Sequence, residues 1–148
     1  MTQLDISIPH HAWLAQKTAD EWGTFFENIL SHIIIPWSEE LSLSLVDDLT
    51  IQQLNHQYRH KNKPTNVLSF PSIMTEICLG DVVLSYETIQ NEALESHKPF
   101  DHHVAHLFVH GVLHLLGHDH IEDDEREVME EKEIQILKKL KIGNPYVA

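Results

Sequence analysis

The sequence predicts an α+β fold: a small mixed β-sheet of about four strands packed with helices. Three observations predict it. Short stretches such as Leu4, Ile6, Ile8 and Leu41, Leu43, Leu45 place apolar residues at every second position, the period of a strand. Longer segments between them place apolar residues every three or four positions, the period of a helix. No repeat, low-complexity tract or linker interrupts the 148 residues, a length that suits one hydrophobic core, so a single domain over residues 1–148 is expected.

Each element follows from its local residues. Leu4, Ile6 and Ile8 make a first strand, closed by Pro9. Trp13, Leu14, Trp22, Phe25, Phe26, Ile29, Leu30 and Ile33 define one amphipathic helix over residues 11–34, stopped before Pro36. Leu41, Leu43 and Leu45 make a second strand, and Asp47 and Asp48 are N-cap candidates for a helix over residues 51–58. A polar, basic segment follows. Residues 66–70 read as a third strand ended by Pro71, and residues 77–84 as a fourth containing Gly80 and Asp81. Ser85 is placed to cap a helix reaching residue 96. Pro99 and Asp101 open the next helix and Gly117 ends it, because glycine accepts the left-handed conformation that terminates helices. A last helix over residues 123–141 stops at Gly143 and Pro145.

Composition narrows the function classes. With 42% hydrophobic and 22% charged residues, the chain has the balance of a soluble globular protein. No apolar run is long enough to span a bilayer, and the start lacks a basic-then-apolar secretory signal, so no membrane partner is expected and the expected location is cytoplasmic. The lone cysteine, Cys78, excludes an internal disulfide and reads as a small buried hydrophobe. The net charge of −13 argues against non-specific nucleic-acid binding, which depends on Lys and Arg, so any such role needs a local basic patch. Arg59, His60, Lys61 and Lys63 read as the only dense one.

Thirteen histidines stand out, and their placement is specific. His110 and His114 are four apart on a predicted helix, so their side chains differ by about 40° around its axis and lie one above the other. They are able to meet one ion. After the reversal at Gly117, His120 can return to the same ion as a third ligand. Three imidazoles leave a tetrahedral zinc with a fourth position for solvent, the arrangement of catalytic sites. Val104, Ala105, Phe108, Val109, Val112, Leu113, Leu115 and Leu116 cover most of the same helix, which should be buried with one polar stripe facing a cleft. Periodicity alone does not choose the pair, because His102, His106, His110, His114 and His118 all recur at intervals of four. Gly117 and His120 complete the pattern His-x-x-x-His-x-x-Gly-x-x-His, while His106 and His118 are the candidates for supporting or substitute ligands. His10, His11, His32 and His97 read as solvated. The spacing is that of metzincin metalloproteases, a zincin-like metal-binding helix, with one change. Zincins place a general-base Glu directly after the first histidine; here Gly111 stands there and has no group to take a proton.

The stretch from His110 to His120, His-Gly-x-Leu-His-Leu-x-Gly-x-Asp-His, resembles the signature of the YbeY endoribonuclease family of rRNA maturation factors. Asn55-x-x-Tyr58-Arg59, the run Pro64-Thr65-Asn66-Val67-Leu68-Ser69-Phe70-Pro71, Leu79-Gly80-Asp81, and His120 through Asp124 with Met129 look like its other motifs in their correct order. The resemblance implies a metal-dependent, single-strand-directed RNase acting in 16S rRNA maturation and ribosome quality control. Its partners would be rRNA precursor and small-subunit components. It implies one Zn²⁺, or another transition metal such as Ni²⁺, on His110, His114 and His120, with Arg59 and His114 catalytic. Arg59, Lys61 and Lys63 would bind substrate, since arginine offers phosphate a planar fork of donors. The chain departs from the family pattern at Asn66, where Asp is usual, and at His118, where Tyr is frequent. Asp81 reads as an orienting carboxylate or a turn cap, the acidic run 122–127 as the solvated start of the last helix, and Met129 as core. Two alternatives stay open: another metal-dependent hydrolase, or a ribosome-assembly factor whose metal is structural.

Overall fold

The alternating stretches become the strands of one sheet in a computed structural model that describes residues 2–35, 40–73, 78–118 and 122–147. In chain order the elements are β1 (Gln3–Ser7), α1 (Ala12–Gln16), α2 (Ala19–Leu30), β2 (Glu40–Val46), α3 (Asp48–Arg59), β3 (Val67–Pro71), β4 (Cys78–Ser85), α4 (Tyr86–Glu95), α5 (Phe100–Leu115) and α6 (Asp123–Lys139). The four strands lie in the order β1-β2-β4-β3. β1, β2 and β4 run parallel, whereas β3 is an edge strand antiparallel to β4, with Leu68 opposite Val83 and Ser69 opposite Val82. The α+β expectation, with a mixed four-stranded sheet, is met.

The period of two divides the apolar residues between the faces of the sheet. Leu41, Leu43, Leu45, Val82 and Leu84 join the main core with α2 and α5. Val46, Leu68 and Val83 pack with Ile51 of α3 in a smaller cluster. Trp13, Trp22, Phe26 and Phe108 are fully buried in the main core. Both indole N–H groups are satisfied, Trp13 Nε1 donating to the Val46 carbonyl at 3.0 Å and Trp22 Nε1 to the Trp13 carbonyl at 2.8 Å. Such pairing is what lets Trp be buried without an orphaned donor.

Several local expectations are corrected. The single helix over residues 11–34 is two helices. Thr18 accepts from the Glu21 N–H at 3.2 Å and its own N–H donates to Glu21 at 2.9 Å, a reciprocal cap that starts α2 afresh after the extended Lys17. Pro36 lies outside the described residues. Asp47 caps α3 as expected, accepting from the Thr50 N–H at 2.9 Å. Ser85 precedes α4 but does not cap it; its hydroxyl donates to Asp48 Oδ1 at 2.6 Å, tying α4 to α3. Pro71 is the last residue of β3, tolerated because β3 is an edge. The last helix ends at Lys139, before Gly143 and Pro145, because Lys141 turns left-handed (φ 63°) and the Ile142 N–H returns to the Leu137 carbonyl at 2.9 Å. Cys78 is half-exposed, not buried, at the start of β4. His10 is not a solvated residue: its Nε2 pairs with Glu87 Oε2 at 2.6 Å and its ring meets Tyr86 edge-on.

Gly80 carries a constraint that its neighbours explain. Its φ of 144° disfavours any side chain, and a Cβ there would overlap the Phe70 carbonyl oxygen and stand 3.0 Å from Leu115 Cδ2. Gly23 in α2 has nothing within 4 Å of such an atom. Gly80→Ala should therefore destabilise the fold by about 2 kcal/mol or more, and Gly23→Ala should stabilise it by roughly 0.5–1 kcal/mol through helix propensity. Urea unfolding of both variants checks the opposite signs.

Candidate functional site

Nine buried residues of α5, among them Val104, Phe108, Val112 and Leu115, press the helix into the core and leave His106, His110 and His114 partly buried along one stripe. The rings of His110 and His114 lie nearly parallel, 27° apart with centroids at 6.0 Å. The helix then ends as its glycine predicts. Gly117 has φ 99°, its N–H returns to the His114 carbonyl and the His118 N–H to the Leu113 carbonyl, each at 3.1 Å. That turn carries the His118 carbonyl back over the helix end, where it meets His114 Nδ1 at 2.8 Å. The contribution of His118 is thus its backbone oxygen. Burial, and after it Lys132, lowers the pKa of its imidazole.

His110 is oriented from another helix, by a residue the motif search did not find. Glu133 of α6 has no solvent exposure. Its Oε1 accepts from His106 Nε2 at 2.9 Å and from His110 Nδ1 at 3.2 Å, and its Oε2 accepts from the Tyr146 hydroxyl at 2.8 Å. Burial by itself would push this carboxyl up; the two histidine contacts outweigh burial and hold it down at about 2. The neighbouring Tyr146 hydroxyl is shifted upward by its own burial and by the Glu133 charge. His106, the candidate for a supporting or substitute ligand, thus meets the same Glu133 oxygen as His110.

This arrangement fits a metal. A neutral imidazole whose Nδ1 carries the proton and donates it to a fixed acceptor presents Nε2 as the ligating nitrogen. Both His110 and His114 have such an acceptor, a carboxylate for one and a carbonyl for the other. His120, the expected third ligand, lies outside the described residues, and among the described residues no three His, Cys, Asp or Glu side chains gather as a metal group.

Gly111, between the two histidines, faces the sheet. A Cβ there would stand 3.0 Å from Val82 Cγ1 and 3.1 Å from Ser69 Oγ. Close packing, as well as the absence of a side chain, keeps a zincin-type Glu from this position. Ser69 Oγ donates to the Gly111 carbonyl at 3.1 Å, and the Ser69 carbonyl accepts from Arg59 Nη2 at 2.9 Å. Arg59 at the end of α3 is thereby joined through the edge strand to the helix turn that carries His110. Its guanidinium also lies 5.9 Å from the Phe70 ring centroid. Lys61 and Lys63 are exposed on the following loop, which Asn55, 3% exposed, shapes by donating to the Lys63 carbonyl at 2.9 Å. Lys138, Lys139 and Lys141, where α6 ends, make a second basic cluster as dense as this one.

Other candidates take structural places. Asp81 is exposed on β4, Met129 is buried in the main core, and residues 122–127 are exposed at the start of α6. Asn66 has a local reason for being an amide. Its Nδ2 donates to Glu92 Oε1 at 3.0 Å, Glu92 also pairs with His103 at 2.9 Å, and Asn66 Oδ1 accepts from the Val67 N–H at 2.7 Å. Burial raises the Glu92 pKa, but the contacts with His103 and Asn66 prevail and lower it. Asn66→Asp would set two carboxylates against each other. It should cost about 1–3 kcal/mol at pH 7, and the loss should shrink towards pH 5 as a proton is taken up between them; urea unfolding at the two pH values checks this.

Comparison with known proteins places the chain in a family. A family model described as Endoribonuclease YbeY matches residues 9–141. A protein named Endoribonuclease YbeY from Sinorhizobium fredii is 50% identical over an alignment covering 99% of this chain and 94% of its own. Another from Sinorhizobium medicae is 43% identical, covering 99% and 96%. The solution structure of TM1509 from Thermotoga maritima matches with a TM-score of 0.59 over 99% of this chain and 100% of that one, at 21% identity, a likeness of fold. With most of its length matched and relatives at this identity, the chain belongs to the Endoribonuclease YbeY family.

Proposed function

We propose that the chain is a metal-dependent endoribonuclease that cuts single-stranded regions of rRNA precursor, acting in 16S rRNA maturation and ribosome quality control in the cytoplasm. The family supports endonucleolytic hydrolysis of RNA phosphodiester bonds. The observation that carries the metal is the pairing of both Nδ1 atoms, His110 with Glu133 and His114 with the His118 carbonyl. His110, His114 and His120 would hold one Zn²⁺ or another transition metal such as Ni²⁺, which imidazole also suits. Among the described residues no helix is long and apolar enough to cross a membrane.

When bound, such an ion supplies Lewis-acid chemistry for phosphodiester hydrolysis. The chain's own residues do the rest. His110 and His114 are held in fixed ring orientations, so the site is built before substrate arrives. Arg59 spends one of its five N–H donors on the Ser69 carbonyl and keeps the others for a phosphate. It would stabilise negative charge on the reacting phosphate, while Lys61 and Lys63 attract the RNA backbone. Gly111 removes the usual peptidase base, and the packing around it favours no substitute.

The test is single-turnover cleavage of a single-stranded RNA, with metal content measured first. His110→Ala and His114→Ala should lose most of the metal. Arg59→Ala should keep metal and fold and lose about 10²-fold in rate, by analogy with removing one oxyanion donor. Arg59→Lys should recover only part, since a point charge does not reproduce the fork. Lys61→Ala and Lys63→Ala should weaken RNA binding chiefly at low salt. Wild-type cleavage by metal-stripped protein would overturn the assignment, and a wild-type rate in Arg59→Ala would remove the arginine from the chemistry.

A further inference from the structure

The segment that follows α6 folds back over the histidine stripe of α5, and named contacts fix it there. Lys98 Nζ donates to the Pro145 carbonyl at 2.7 Å. The Tyr146 N–H donates to Asn144 Oδ1 at 2.8 Å. The Tyr146 ring sets its edge against His106, with centroids 5.4 Å apart at 85°. Its hydroxyl reaches past that ring to donate to Glu133 Oε2 at 2.8 Å. We infer that Tyr146 is a positioning residue for His110: its hydroxyl fixes the rotation of the Glu133 carboxylate, so that residues 142–147 form part of the metal site.

The physical reason lies in the carboxylate. The last torsion of a glutamate side chain is broad and roughly two-fold, so one contact leaves the carboxylate plane free to turn. His106 and His110 both meet Oε1, and neither of them holds Oε2. The Tyr146 hydroxyl holds it, and with both oxygens held the direction of Oε1 towards His110 Nδ1 is set. Burial gives little reason for the tyrosine itself, because the residue is 45% exposed. Its hydroxyl is the group that reaches the interior. Partners that orient a ligating histidine from outside the coordination sphere influence metal affinity about as strongly as 10–100-fold.

The inference rests on the reading of His110 as a ligand, and the experiment separates the two. Zn²⁺ affinity is measured by competition with a chromophoric chelator for wild type, Tyr146→Phe and His110→Ala, and thermal unfolding is followed on metal-free protein. Tyr146→Phe keeps the ring against His106 and removes only the hydroxyl. It should weaken Zn²⁺ binding about 10-fold and leave the metal-free melting temperature near that of wild type. Wild-type affinity in Tyr146→Phe, beside lost binding in His110→Ala, would overturn the positioning role and leave the metal reading standing. So would a fall in metal-free stability large enough to account for the weaker binding. A wild-type protein that takes neither Zn²⁺ nor Ni²⁺ would overturn both.

Discussion

A carboxylate with no solvent exposure has to be surrounded by donors, and Glu133 finds three, from His106, His110 and Tyr146. A buried carboxylate stripped of its histidine partners would be left uncompensated, which is strongly destabilising; the neutral Tyr146 hydroxyl adds direction more than charge. Three parts of the molecule are thereby committed to one arrangement. The middle of α5 supplies two histidines, α6 supplies the carboxylate, and the chain beyond α6 supplies the tyrosine. The same contacts that make the carboxylate tolerable indoors also decide which nitrogen of His110 carries its proton. The orientation of His110 and the packing of α6 on α5 thus share one carboxylate.

The opposite side of α5 is set by an absence. Gly111 lets the helix approach β3 and β4 so closely that Val82 Cγ1 and Ser69 Oγ would stand only 3.0 and 3.1 Å from a Cβ there. That approach brings the edge strand alongside the metal helix, and Arg59 reaches the Ser69 carbonyl at that edge. One small residue thus removes the peptidase base and brings the arginine's anchor close to the histidines.

Much of this was legible in the sequence, for reasons that can be named. β1 and β2 showed themselves by alternation, β3 and β4 as short apolar stretches, and α5 by its apolar residues and the glycine that ends it. That His110 and His114 are neighbours was legible because positions four apart on a helix lie one above the other. The reciprocal cap Thr18 and Glu21 was present as the S/T-x-x-E pattern, yet the continuing apolar period concealed the break it makes. Glu133 was missed because its neighbours in sequence are acidic and solvated. Its signal was positional: it sits four residues after Met129 and three before Ile136, a charge on the apolar face of a helix. Tyr146 had no local signal, since its partner is reached only through the fold. Arg59 was found as a residue of a motif, but its anchor, a backbone carbonyl, has no sequence signature.

The central claim is that Glu133 and the His118 carbonyl hold His110 and His114 with the proton on Nδ1, ready to ligate through Nε2. Long-range ¹H–¹⁵N correlation spectra of the imidazole rings in metal-free protein at neutral pH read the tautomer of each histidine directly. The account predicts the Nδ1–H tautomer for both residues. It also predicts that Glu133→Gln perturbs the tautomer at His110 and leaves His114 unchanged. Finding the Nε2–H tautomer at either histidine in the wild-type protein would contradict it.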